Sequence, residues 1–83
     1  MNHTNSELAE KLKQAAQKYL DDGLMNGFKD SAKIYRKDHK DLIRIAKMIE
    51  NNKDGKVIAK AMYGLDTAVR DVIPDSVYYS FIR

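Results

Sequence analysis

Apolar residues recur along this chain at three- and four-residue intervals, the spacing that gathers side chains onto one side of an α-helix. The first stripe is Leu8, Leu12, Ala15, Ala16 and Tyr19. It follows Thr4 and Glu7, a T-x-x-E pair in which each side chain can satisfy an orphan backbone N–H of the other residue. Gly23 is the expected stop of this helix. The next segment, "LMNGFKDSAKIYR", gives a weaker second helix. Gly27 lowers its propensity, while Phe28, Ala32 and Tyr35 still fall on one side. Asp38 and Asp41 can cap a third helix that turns Leu42, Ile45, Ala46 and Ile49 inward, with Ile43 and Met48 flanking. The run "NNKDG" ends it, because Asn, Asp and Gly accept turn and left-handed conformations.

A fourth helix is expected from Lys56, presenting Ile58, Ala61, Met62, Leu65, Ala68, Val69 and Val72. It tolerates Gly64 at a cost of about 1 kcal/mol. Pro74 stops it, having no N–H to donate and a ring that blocks continuation. In the tail "PDSVYYSFIR", Asp75 or Ser76 is the cap and Val77, Tyr78, Phe81 and Ile82 are the apolar positions. Those residues would also suit a strand, but no second strand signal exists to pair with, so a short helix is expected. The implied architecture is all-α: one small bundle of four to five short helices packed antiparallel through short loops. It forms a single helical domain over residues 1–83, with residues 1–4 frayed.

Composition narrows the function more than the fold. The chain has 83 residues, 43% hydrophobic and 33% charged, which suits one globular domain near the lower size that folds alone. It has no cysteine, so a disulfide framework and a thiolate metal site are excluded, and a cytoplasmic location is expected. The start "MNHTNSELAEKLKQ" has no apolar core of a signal peptide, and no apolar run approaches the roughly 20 residues that span a bilayer. Membrane insertion is therefore not expected.

Charge is placed unevenly. Between Lys29 and Lys47 lie seven bases (Lys29, Lys33, Arg36, Lys37, Lys40, Arg44, Lys47) and three acids (Asp30, Asp38, Asp41). That local +4 exceeds the +3 of the whole chain and leaves −1 elsewhere. Such a patch is a solvated helical face, or a surface that meets phosphates or an acidic protein.

No catalytic or metal constellation emerges. "MIENNKDGKVIAKAM" echoes a calcium loop, with Asn52, Asp54, Gly55 and Val57 at positions 3, 5, 6 and 8 counted from Glu50. Position 12, which needs a bidentate Glu, is Ala61. The stretch reads as a polar turn. His3 and His39 are the only side chains that titrate near neutrality. Asp38, His39 and Asp41 could be imagined as a metal site, but an exposed helix start with a capping acid accounts for the same residues. There is no glycine-rich phosphate loop, nucleophile elbow or paired helical histidine. No enzyme, cofactor or metal is expected.

Two binding readings are left. In "KVIAKAMYGLDTAVRDVI", Ile58 and Ala59, then Gly64 and Leu65, then Asp66 as a cap before Thr67 and Arg70, give an imperfect helix-turn-helix. Tyr63 is one residue too many, the second helix is short, and Asp66 and Asp71 would oppose phosphates. A continuous helix is the simpler reading. The other reading is the tail, where Tyr78, Tyr79, Phe81 and Ile82 crowd together, with Tyr63 as a candidate neighbour. One short helix can hide one side only, and rings left outside suit a protein interface.

Asp71, Ile73-Pro74, Ser76-Val77, the aromatic Tyr78 and the terminal Phe81-Ile82-Arg83 carry a resemblance. This end is similar to the C-terminus of the Hha-type nucleoid-associated modulators, small helical proteins that act by binding a DNA-binding partner. It requires a one-residue insertion, and the Asp-His-Arg signature that precedes it in that family is not found at the matching distance. The resemblance implies a protein that works through a partner. The function expected is thus a non-enzymatic regulator or adaptor that binds a protein partner through Tyr63, Tyr78, Tyr79, Phe81 and Ile82. The basic stretch Lys33, Arg36, Lys37, Lys40, Arg44 and Lys47 would steer an acidic partner. Homodimerisation is a further mode, and a nucleic-acid-binding or nucleoid-associated transcription modulator is the alternative.

Overall fold

A computed structural model describes residues 4–27 and 31–82; Met1, Asn2, His3, Phe28, Lys29, Asp30 and Arg83 lie outside them. Five helices follow in order: α1 (Asn5–Asn26), α2 (Ala32–Glu50), α3 (Gly55–Tyr63), α4 (Thr67–Arg70) and α5 (Asp75–Phe81). The protein is all-α, with no strand among the described residues. Its helices are divided differently from the sequence expectation, and each difference has a local cause.

At the start of α1 the Thr4 side chain accepts the Glu7 N–H at 3.2 Å and caps the helix; the other residues expected to fray, 1–3, lie outside the described ones. The expected stop at Gly23 is not there. Gly23 is buried inside α1, and the ring of Tyr35 from α2 fills the space a Cβ would take. This glycine allows two helices to approach. Helix α1 runs on to Asn26, and Gly27 ends it with its N–H bonded to the Gly23 carbonyl at 2.7 Å. The weak second helix is thereby divided, Leu24 to Asn26 joining α1 and Ala32 to Arg36 joining α2.

Asp38 and Asp41 do not begin a helix either; both lie within α2. Asp38 is buried, which a lone carboxylate tolerates poorly. Its compensation is the Tyr19 hydroxyl, which donates to Asp38 Oδ2 at 2.8 Å. Burial first, and then this bond, push the Tyr19 phenol well above its ordinary value of 10.0. Tyr19 also meets Tyr35 edge-on, with ring centroids 5.3 Å apart. A ring against a glycine and a part-buried hydrogen bond thus join the two helices at this end.

The turn after α2 is the expected one. Asn51 caps the helix, and Asn52 takes the left-handed conformation at φ 57°. Gly55 has no positive φ and opens α3, capped by the Asp54 carboxylate on the Lys56 N–H at 3.0 Å. The continuous fourth helix is corrected to a broken one: α3 ends at Tyr63 and α4 starts at Thr67. The break lets Leu65 turn into the core while Ala68, expected in the apolar stripe, is left exposed. Arg70 stabilises the corner. Its Nη2 donates to the carbonyls of Tyr63 at 3.1 Å and Leu65 at 3.0 Å, groups near the end of α3 that lack helical partners. At the tail, Pro74 itself occupies the cap position of α5 and neither Asp75 nor Ser76 does. The tail is a helix, as expected, and not a strand.

All five helices feed one core: Leu8, Leu12 and Ala16 from α1, Leu42, Ile45, Ala46 and Ile49 from α2, then Ile58, Met62, Val69 and Val77. Helix α5 packs on α1, α3 on α2, and α3 on α5. The molecule is elongated, 39 × 22 × 20 Å, since α1 at 1.5 Å per residue is by itself about 33 Å long. No described helix is long and apolar enough to cross a membrane.

Candidate functional site

The broken corner that Arg70 holds is also where tyrosines come to the surface. Tyr63, the last residue of α3, is 54% exposed, and the Arg70 guanidinium carbon lies 5.7 Å from its ring centroid. Arg70 also lines a hollow of about 250 Å³, together with Thr67, Asp71, Asp75, Tyr78 and Tyr79. Tyr79 is 64% exposed, and Tyr78 stands edge-on to it with centroids 5.2 Å apart and planes at 88°. Tyr78 is half-buried against the core, so its ring is a fixed wall.

Three of the five predicted docking residues, Tyr63, Tyr78 and Tyr79, therefore gather around Arg70. The other two do not. Phe81 is half-buried and packs on the core, its Cδ1 3.9 Å from where a Cβ on Gly55 would stand. Ile82, expected at the interface, is corrected to a core residue at 6% exposure. The reason is geometric: Ile82 follows Val77 by five residues, and the chain leaves α5 in an extended conformation that points Ile82 back inside. Arg70 and Thr67 were not among the expected docking residues. A base seven residues past Tyr63 and six past Gly64 is the signal that marks this corner.

Arg70 Nε is buried with no hydrogen-bond partner, so the guanidinium is held by one nitrogen only among the bonds described. The neighbouring Asp71 and Asp75 are exposed. The corner thus offers two flat rings, a fixed cation and two carboxylates. No group of three metal-ligating side chains is found among the described residues. The helix-turn-helix alternative meets a short second helix: α4 has four residues, about one turn.

The basic patch lies wholly on α2. Lys33, Arg36, Lys37, Lys40, Arg44 and Lys47 are all exposed. Lys37 faces Asp41 at 3.5 Å, while Glu50 is taken by Lys13 at 2.7 Å. That bond, ahead of the general pull of Glu50 and Glu10, raises the Lys13 ammonium above its ordinary value. The chain shows no significant similarity to a protein family, a curated protein or a solved structure. The likeness of the tail to Hha-type modulators accordingly rests on residues 71–83 alone.

Proposed function

We propose that this protein is a small non-enzymatic adaptor or regulator that binds a protein partner through the face formed by Tyr63, Arg70, Tyr78 and Tyr79. One observation supports this reading above others. Tyr63, whose ring Arg70 overlies, and Tyr79, which lines the same hollow as Arg70, are more than half exposed, and the arginine is fixed by two backbone carbonyls. Tyrosine and arginine are the residues that concentrate binding energy at protein interfaces, because they give large contact area at low entropic cost.

The test is affinity purification from the source cell extract with the intact chain and with a Tyr63→Ala/Tyr79→Ala variant, each with and without nuclease. Both positions are exposed, so the variant should keep the helical circular dichroism signal. A partner that survives nuclease and is lost with the variant supports the proposal. A partner retained by the variant overturns it, and one released by nuclease would favour the nucleic-acid alternative.

A further inference from the structure

Helix α2 carries a row of cations that the fold does not use. Arg36, Lys40, Arg44 and Lys47 follow at intervals of four, four and three residues, which sets them in one line along the helix. All four are exposed, and none has a carboxylate partner among the described residues. Like charges at this spacing repel and weaken the helix that bears them. Beside the row lies a hollow of about 540 Å³, whose apolar lining comes from Ile43 and Met48. Both are half-buried, packed on the core from below and open above. His39, Asp41, Asn51 and Lys53 complete the lining, and the Asp41 carboxylate is paired with Lys37 at 3.5 Å.

We propose that this face of α2 docks an acidic amphipathic helix of a partner protein. The cations select the charge: an acidic segment removes the repulsion along the row and gains from it. The apolar lining selects the kind of molecule. A phosphate backbone has nothing to set on Ile43 and Met48, whereas an amphipathic helix presents apolar side chains at i, i+3, i+4 and i+7 between its acids. The surface is separate from the tyrosine face, for the two hollows share no residue. A chain with two such surfaces can join two partners.

The probe is a synthetic helical peptide of about 18 residues, long enough to hold a helix, with Leu on one side and Glu elsewhere. Two controls accompany it: the same peptide with Lys for Glu, and one of equal charge with its Leu residues scattered. Binding to the intact chain is followed by NMR amide shifts. The acidic amphipathic peptide should perturb amides between residues 39 and 53 and bind at least about tenfold more tightly than either control. Lys40→Glu/Lys47→Glu, at exposed positions that leave the fold intact, should weaken it at least about tenfold. Ile43→Ser should weaken it without changing its salt dependence, and Tyr63→Ala/Tyr79→Ala should leave it unchanged.

Four results would overturn the proposal. One is no binding of the acidic peptide. Another is equal binding of the scattered-Leu control, which would reduce the face to unspecific attraction. A third is tighter binding of duplex DNA to the same amides. The last is sedimentation showing a dimer that Ile43→Ser dissociates, which would assign the face to a second copy of this chain.

Discussion

The hairpin of α1 and α2 and the three helices that follow it are held by different means. The first two helices have 22 and 19 residues; the last three have 9, 4 and 7. Isolated helices under about 12–15 residues are marginal in water. Helices α3 to α5 therefore exist because Ile58, Met62, Val69 and Val77 are buried against the hairpin, each fully buried aliphatic side chain contributing about 1.5–3 kcal/mol. Among the described residues, the far end of the hairpin leaves apolar side chains exposed. Met25 is 82% and Ile34 60% exposed there, and the helices are joined instead by Tyr35 over Gly23 and by Tyr19 on Asp38. One end depends on aliphatic burial, the other on fitted contacts. The short helices also supply the candidate docking corner, so the region with least structure of its own is the one offered to a partner.

The comparison breaks most readily at Met62. Met62→Ala should cost about 2–5 kcal/mol in urea unfolding, since its fully buried side chain leaves a cavity under α3. Hydrogen exchange should show α3 to α5 losing protection before α1 and α2. Equal loss throughout would mean that the two regions unfold as one.

Next in size are the glycines. Gly23→Ala should destabilise by about 1–3 kcal/mol, because the new methyl meets the Tyr35 ring and a helix–helix contact must yield. Gly64→Ala should change stability by under about 1 kcal/mol, as its Cβ would find ordinary contact distances of 3.5 Å and beyond. If both cost the same, close approach is not what places a glycine at position 23.

Tyr19→Phe should cost about 1–2 kcal/mol by leaving the buried Asp38 without its donor. It carries a pH signature as well. The folded phenol titrates above the unfolded value of 10.0, so its stabilisation is complete below that pH. It is lost as pH rises further, because the unfolded chain ionises first. Alkaline unfolding of Tyr19→Phe should therefore be less steep than that of the parent; an unchanged slope would contradict the assignment. Thr4→Ala should cost about 1 kcal/mol by thermal melting, confined to the first turn of α1.

Much of the inward-facing set was legible in the amino-acid order. Leu42, Ile45, Ala46 and Ile49 are buried with Ile43 and Met48 at their flanks, as their spacing requires. The turn at Asn51 to Asp54 follows from residues that accept its backbone angles. The helix ends were misread wherever one residue type serves two purposes. Glycine stops a helix at Gly27 and permits helix contact at Gly23; aspartate caps α3 at Asp54 and is buried mid-helix at Asp38. Only the neighbour from another helix, Tyr35 in one case and Tyr19 in the other, separates the two uses. At the docking corner the tyrosines were visible as a surplus of rings. That Arg70 would gather three of them and exclude Ile82 was not, since it depends on the break at Gly64.

Periodicity and residue preference by themselves determined that this chain is helical, most of its inward-facing set and the turn at Asn51 to Asp54, because those properties act over a few neighbouring residues. Tertiary structure alone decided how long the helices run, that Asp38 is buried, and which aromatic rings remain in contact with water. Those outcomes depend on what arrives from distant parts of the chain to fill a space or satisfy a polar group, and local spacing carries no record of it.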